Sequence, residues 1–312
     1  MALLDKLSPG KQLLFLVLIL FASVFTFIPL GLLIAIPFVE GDIFEILSRM
    51  ELSETQLDIN MLKYFQIISQ IGMFIITSFL FAFLVSGKVF SYFGLNKKPK
   101  LKLILIAIII SLVSIPLVNW VMEINYQMHL PSAFASLENW MREMEAEASR
   151  LTDLFLISTS ISSFLTNLLM MAILAGIGEE LLLRGILQPI FIRITNNAHA
   201  GIWIAAALFS LIHFQFFGFF PRLLMGALFG YYFYWTRNLW IPIIAHIFNN
   251  GLIVTYVYFT GSTSIIPKLN ETKSIESTSV LMLFLSLSLT IAVLFLFYRE
   301  VVKMDKKTNE IQ

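Results

Sequence analysis

Long apolar runs separated by short polar stretches dominate this sequence. A membrane-spanning helix needs about 20 predominantly apolar residues. The segments that approach or exceed this length are Leu13–Ile36, Leu62–Ser86, Leu103–Val121, Leu154–Gly178, Gly201–Phe217, Leu223–Trp235, Leu239–Phe259 and Val280–Tyr298. The sixth is short, and its border with the fifth, around Gly218–Arg222, is weakly marked. The pattern predicts an all-α fold, a polytopic transmembrane helical bundle of about eight spans.

Composition supports a membrane protein over a water-soluble globule. Hydrophobic residues make up 58% of the 312 residues and charged residues 13%, whereas soluble domains carry about 25% charged residues. The net charge is +1, and no basic stripe indicates nucleic acid as a partner. The chain has no cysteine, which excludes disulfides, a thiolate nucleophile and cysteine-ligated zinc.

The distribution of Lys and Arg between the spans predicts an orientation. With the N-terminus inside, fourteen basic residues fall on the inner side and six on the outer side. Basic residues favour the cytoplasmic side of a membrane, so we expect both termini to be cytoplasmic. The acidic loops Glu40–Asp58 and Glu123–Asp153 then face outward. The expected location is a bacterial cytoplasmic membrane, with lipid as one partner.

Polar residues within the spans divide the chain into three parts. We expect spans one to three and an outer loop in residues 1–150, a catalytic core in 151–260, and a last span with a basic tail in 261–312. The longest loop, Glu123–Asp153, carries Trp140 and several glutamates. Two interpretations of it remain open: an amphipathic helix at the membrane interface, or a solvated connecting helix.

The stretch Gly176–Arg184 carries two adjacent carboxylates against a hydrophobic span. An ionised carboxylate at membrane depth is costly, so Glu179 and Glu180 are candidates for function. Glu180 and Arg184 are spaced i and i+4 and share a helix face. Glu179 is rotated by about 100° from Glu180, so the two should have different roles. We expect Glu180 to pair with Arg184 and Glu179 to point into a cavity.

Two histidines and an asparagine in later spans are the candidate partners. His213 lies in the fifth span, and His246 lies in the seventh, with Asn250 on the same helix face. A carboxylate in an apolar pocket suits a general base, and His and Asn side chains can orient water or donate to an oxyanion. Together these residues describe amide hydrolysis without a covalent intermediate.

Other hydrolytic schemes fit the sequence less well. The HExxH motif of zinc metalloproteases and the GxSxG motif of serine hydrolases are absent. No aspartate lies inside a span, which argues against a two-aspartate intramembrane protease. Ser210 precedes His213 by three residues, but no glycine-rich elbow would expose it as a nucleophile.

Three motifs in order resemble a known signature. Glu179-Glu180-x-x-x-Arg184, Phe209-x-x-x-His213 and His246-x-x-x-Asn250 together resemble the CPBP intramembrane proteases, which include CAAX prenyl proteases and bacteriocin-processing or Abi proteins. The resemblance covers about residues 150–260 and implies a metal-independent glutamic endopeptidase in a helical bundle.

The resemblance also implies a role for each motif residue. Glu179 would activate water, His213 would orient it, and His246 and Asn250 would form the oxyanion hole. Glu180 and Arg184 would support the site, with Phe209 packed beside His213. No cofactor is implied, and the expected substrate is a peptide or membrane protein, prenylated or not. Three alternatives stay open: a zinc-dependent protease using His213 and His246, a non-catalytic scaffold or immunity protein, and a transporter or haem-binding bundle.

Overall fold

The computed structural model describes residues 3–38, 55–156, 160–263 and 279–309, and this part of the chain is helical without strands. The α-helices are α1 (Pro9–Ala35), α2 (Gln56–Ser69), α3 (Thr77–Ser86), α4 (Val89–Tyr92), α5 (Leu101–Val113), α6 (Ile115–Tyr126), α7 (Ala135–Leu156), α8 (Ile161–Asn167), α9 (Ala175–Leu182), α10 (Gln188–Thr195), α11 (Ala198–Leu211), α12 (Phe219–Thr236), α13 (Trp240–Thr260) and α14 (Val280–Asn309). The prediction of an all-α bundle is confirmed.

Three π-helical segments join α-helices end to end within the described residues. Gln70–Ile76 joins α2 to α3, Leu168–Leu174 joins α8 to α9, and Leu183–Leu187 joins α9 to α10. Short 3₁₀ turns occur at Ile36–Phe38, Ser132–Phe134 and Phe216–Gly218. A π-helical turn widens the helix and disturbs the regular hydrogen-bond ladder, and such turns are frequent at functional sites.

Six helical stretches of the described chain are long and apolar enough to cross a membrane, so the protein is a multi-pass membrane protein. They are Pro9–Ala35, Leu57–Ser86, Ile161–Thr195, Phe216–Thr236, Trp240–Thr260 and Val280–Met304. The pair α5 and α6, bent by 46° at Ser114 just before Pro116, makes a seventh if it is one span. The remaining expected span, Gly201–Phe217, is instead the shorter helix α11, Ala198–Leu211.

The fourth span differs from its predicted bounds. We expected Leu154–Gly178, but the continuous helix runs from Ile161 to Thr195. Arg184 and Gln188, which suggest a helix end by hydropathy, are buried inside the protein. Their side chains donate to backbone carbonyls of α12, so polar residues continue the helix where the sequence predicts a loop. The glutamate pair therefore lies near the middle of this helix.

Helices α11 and α12 form an antiparallel hairpin. At its open end, Nδ1 of His199 lies 2.7 Å from the hydroxyl of Tyr231. At its closed end, the Ser210 hydroxyl donates to the carbonyl of Phe219 over 2.8 Å. Small residues allow the close contact, since a Cβ at Gly226 would lie 3.1 Å from the Cβ of Ala206. The hairpin packs against the continuous helix Ile161–Thr195, which carries Glu179 and Glu180 and is called the glutamate helix below. His213 lies at the turn of the hairpin.

The long segment Glu123–Asp153, expected as a loop, contains a helix that packs on the protein. Helix α7 buries Glu145 and Leu156, whereas Glu143 and Glu147 on the same helix are exposed. The Trp140 ring lies 5.4 Å from the ring of Phe216, in the 3₁₀ turn before α12. One face of α7 therefore covers the turn that follows His213.

Candidate active site

A single carboxylate oxygen joins the first and third motifs. Oε1 of Glu180 accepts a hydrogen bond of 2.7 Å from Nη1 of Arg184, and it lies 2.8 Å from Nδ1 of His246. Glu180, Arg184 and His246 are all buried. Because a carboxylate acts as an acceptor, the short contact indicates that Nδ1 of His246 carries the proton and donates. Glu180 therefore has two roles at once: it neutralises the charge of Arg184, and it orients the ring of His246.

The Arg184 guanidinium ties this group to the hairpin. Its Nη2 donates to the carbonyl of Gly226 on α12 over 3.0 Å, and its Cζ lies 4.8 Å from the ring centre of Phe209 on α11. One turn later, the Gln188 side chain donates to the carbonyl of Gly230, also over 3.0 Å. Arg184 and Gln188 are four residues apart and share a face of the glutamate helix. The glycines whose carbonyls they bind, Gly226 and Gly230, are likewise four residues apart on α12. At Gly230 the missing side chain matters directly, since a Cβ there would lie 2.8 Å from Oε1 of Gln188.

Glu179 has a different environment from its neighbour. Its Oε2 lies 3.7 Å from Nε2 of His246, close enough for an ion pair but too far for a hydrogen bond. The Glu179 side chain is 15% exposed, compared with 0% for Glu180. Oε2 of Glu179 and Oε2 of Glu180 are both buried without a hydrogen-bond partner in the described part of the chain, but only Glu180 has its other oxygen bound by neighbouring side chains. The Glu179 carboxylate is therefore free to accept a hydrogen bond from a small molecule such as water.

His213 lies just beyond the end of α11. Its Nδ1 is 2.7 Å from the carbonyl of Phe209, which can only accept, so Nδ1 carries the proton. Nε2 is then the acceptor atom of the neutral ring. The Phe209 ring contacts both His213 and His246, so His213 lies beside the other two motifs.

Phe209 packs against the polar groups of all three motifs. Its ring centre lies 5.0 Å from the ring of His213 and 5.8 Å from the ring of His246, both edge-on. Phe229 on α12 is a further wall, 5.2 Å from His246 and 5.6 Å from Cζ of Arg184. Sequence reasoning missed Phe229, because nothing separates it from the other phenylalanines of a chain that has 30.

Asn250 faces the glutamate helix through a π-helical turn. Its Nδ2 donates to the carbonyl of Met171 in the segment Leu168–Leu174, over 3.0 Å. Turns of this π-helical kind are frequent at functional sites. A primary amide has two N–H groups, so one remains for another acceptor. Asn250 thus links α13 to the glutamate helix through one N–H and has a second N–H that can donate to another acceptor.

Glycines bring the helix that carries Glu179 and Glu180 into close contact with α13 and with the second span. A Cβ at Gly176 would lie 2.7 Å from Cγ1 and 3.1 Å from the backbone nitrogen of Ile247. A Cβ at Gly178 would lie 2.7 Å from Cβ of Phe74 in the segment Gln70–Ile76. The close contact at Gly176 allows Glu179 and Glu180 to reach His246 on α13.

The structure brings together Glu179, Glu180, Arg184, Phe209, His213 and His246, and it places Asn250 one turn beyond His246. Ser210 is engaged elsewhere, since its hydroxyl donates to Phe219. Among the described residues, no three His, Asp or Glu side chains form a group that could hold a metal ion.

Comparison with known proteins places these motifs in a family. Residues 161–252 match the family model described as type II CAAX prenyl endopeptidase Rce1-like. This segment is Rce1-like. It begins at the first residue of α8 and contains every residue of the three motifs. The resemblance to CPBP proteases that the motifs indicate is therefore confirmed.

One curated relative matches over a similar length. The chain is 27% identical over 97 residues to the uncharacterized protein YpbD of Bacillus subtilis (strain 168). That match covers 30% of this chain and 47% of YpbD, so it spans about half of the relative. No solved structure matches the chain. The helices α1 to α7 and α14 lie outside the matched residues.

Proposed function

We propose that the protein is an intramembrane endopeptidase that hydrolyses peptide bonds of a membrane-associated protein or peptide. In this proposal Glu179 is the general base that takes a proton from water. His213 accepts a hydrogen bond from the same water through Nε2 and orients it. The reaction proceeds by direct attack of water on the peptide carbonyl, without a covalent intermediate. The Rce1-like segment supports this class of reaction.

The contrast between the two adjacent glutamates carries the proposal. Oε1 of the fully buried Glu180 is bound by both Arg184 and His246, whereas the Glu179 side chain is 15% exposed and only has a 3.7 Å contact with His246. A base must reach its water, and an orienting group must be held still. The geometry therefore supports Glu179 as the base and Glu180 as the residue that holds His246 and Arg184.

His246 and Asn250 are the proposed oxyanion donors. The second N–H of the Asn250 amide can donate to the developing oxyanion. His246 uses Nδ1 for Glu180, so it donates through Nε2 when its ring is protonated. One preorganised donor contributes about 3–4 kcal/mol to transition-state stabilisation.

Orientation and location follow from the loop charges. The loop charges are counted with eight spans, taking the bent pair α5 and α6 as one span and the short helix α11 as another, so that both termini lie on the same side. Fourteen basic residues then lie on the expected inner side and six on the outer side. We propose that both termini are cytoplasmic and that the protein resides in a bacterial cytoplasmic membrane.

Comparative peptidomics of membranes that contain wild-type protein or Glu179→Gln tests this function. We expect cleavage products with wild type and their loss with Glu179→Gln, at equal protein levels. Identical peptide profiles, together with full cellular function of Glu179→Ala, would instead support a non-catalytic scaffold or immunity protein. Loss of activity in a metal-free preparation, restored by stoichiometric zinc, would support the zinc-dependent alternative.

A further inference from the structure

The chain turns sharply just after His213. Phe214 has φ of 52°, a left-handed conformation that is uncommon for a residue other than glycine. The 3₁₀ turn Phe216–Gly218 follows and leads into α12. A strained conformation of this kind persists only when the surrounding structure holds it. The contacts that hold this turn therefore also determine where the His213 ring lies.

A glutamate from the outer helix α7 holds the turn directly. Oε2 of Glu145 accepts a hydrogen bond of 3.1 Å from the backbone N–H of Phe217, and Oε1 lies 3.4 Å from the hydroxyl of Tyr126. Glu145 is 2% exposed, while the same helix presents Glu143 and Glu147 to the outside. Burial raises the pKa of Glu145 above its usual range, and the Phe217 hydrogen bond opposes that shift.

Two further side chains hold the same turn at other points. Nδ2 of Asn125 donates to the carbonyl of Phe216 over 3.3 Å, and its Oδ1 accepts from the N–H of Phe220 over 2.9 Å. Arg222 donates through Nη1 to Oε1 of Gln215 over 2.9 Å, and through Nη2 to the Gln215 carbonyl. Its charge also acts on Glu145. Residues 215–220 are thus fixed from α6, α7 and α12 together.

We propose that Glu145 is a positioning residue for His213. It acts from outside the Rce1-like segment, by holding the Phe217 N–H four residues beyond the histidine. The first half of the chain thereby completes the site that the second half carries. The proposal rests on the proposed function for its catalytic consequence, whereas the contact itself is independent of that function.

Cleavage kinetics test the catalytic consequence with matched variants in the full-length, reconstituted protein. The probe is the peptide substrate identified by peptidomics. We expect Glu145→Ala to lower kcat about 10- to 100-fold with KM nearly unchanged, because misplacing a catalytic group by about 1 Å costs up to this factor. Glu145→Gln should recover most of kcat, since its amide oxygen can accept the same N–H. Glu143→Ala, an exposed carboxylate on the same helix, is the control.

Two outcomes of this assay would overturn the proposal. One is that Glu145→Ala keeps the kcat of Glu143→Ala. The other is that Glu145→Gln is as impaired as Glu145→Ala. If Glu145→Ala does not accumulate, Glu145→Asp replaces it. The shorter aspartate side chain keeps the charge but withdraws the carboxylate from the N–H of Phe217. An unchanged kcat in that variant would also contradict the proposal.

Hydrogen–deuterium exchange separates this proposal from the proposed function. We expect faster deuterium uptake in the peptide that contains Phe217 for Glu145→Ala than for Glu143→Ala, at equal global stability. This readout needs no substrate. Absence of cleavage by wild type would refute the protease proposal, whereas unchanged uptake at Phe217 would refute the role of Glu145 in holding the turn.

Discussion

Oε1 of Glu180 lies 2.8 Å from Nδ1 of His246, and this contact joins two helices that are 66 residues apart in sequence. The same oxygen accepts from Arg184, which in turn reaches α12. One buried carboxylate thus holds together the glutamate helix, the hairpin and α13. Its neighbour Glu179 makes no comparable bond, so the two adjacent carboxylates have different surroundings.

The first prediction concerns the stability of this buried group. Glu180→Ala removes the carboxylate and leaves the Arg184 charge buried without its partner. We expect the free energy of unfolding to fall by about 3–5 kcal/mol, as is typical when one partner of a buried ion pair is removed. Thermal unfolding of the purified protein in detergent measures the effect.

Glu179→Gln is the matched control for that prediction. It changes the adjacent carboxylate, which has an ion-pair contact of 3.7 Å to His246 and no hydrogen bond to it. We expect its unfolding temperature to stay close to that of wild type while cleavage is lost. Equal destabilisation by the two substitutions would show that the glutamates do not divide support and catalysis.

The second prediction tests whether Arg184 needs its guanidinium shape. Arg184→Lys keeps the charge, but a single ammonium cannot bind Glu180, reach the Gly226 carbonyl and stack near Phe209 together. We expect a loss of about 1–3 kcal/mol in the free energy of unfolding, because polar groups lose buried partners. Arg193→Lys, near the end of α10, provides a comparison outside the site. Wild-type stability of Arg184→Lys would mean that charge alone suffices.

The third prediction concerns the close contact of the glutamate helix with α13. Gly176→Ala would push a Cβ to within 2.7 Å of Ile247 Cγ1 and 3.1 Å of its backbone nitrogen, so α13 must shift. Overpacking of this kind costs about 1–3 kcal/mol. We expect lower thermal stability and slower cleavage, since Glu180 moves relative to His246. At Gly251, an added Cβ would lie 3.8 Å from its nearest neighbour, so Gly251→Ala should be tolerated.

The fourth prediction addresses the proposed oxyanion donor. Asn250→Ala removes the amide that binds Met171 and offers a second N–H. We expect kcat to fall about 100- to 1000-fold, the usual effect of losing one oxyanion donor. Asn249→Ala, on the adjacent position of the same helix, should have a small effect. A loss of stability without a change in kcat would instead indicate that Asn250 only holds α13 and the glutamate helix together.

Much of the site could be predicted because its polar residues are rare within apolar spans. The i and i+4 spacing places Glu180 with Arg184, and His246 with Asn250, on shared helix faces. The structure adds the contact between Glu180 and His246, which no local spacing predicts because it depends on how α9 and α13 pack. It also adds Glu145, which lies in a segment of mixed polarity where several glutamates look alike.

The bounds of the helices were harder to predict for a related reason. Hydropathy treats Arg184 and Gln188 as the end of a span, yet backbone carbonyls at Gly226 and Gly230 accept their donors inside the protein. The fifth segment has an apolar run of span length, but His213 and the strained Phe214 turn the chain early, so α11 is short. In both cases, where the helix ends depends on the tertiary contacts of polar side chains, which hydropathy does not describe.

The most direct test of the central claim is the rate of substrate cleavage by purified wild type and Glu179→Gln in lipid bilayers. The account predicts that wild type cuts the peptide and that Glu179→Gln is slower by about 100- to 10,000-fold, the usual contribution of a general base. Both proteins should unfold at similar temperatures. A folded Glu179→Gln protein that cleaves at the wild-type rate would contradict the account.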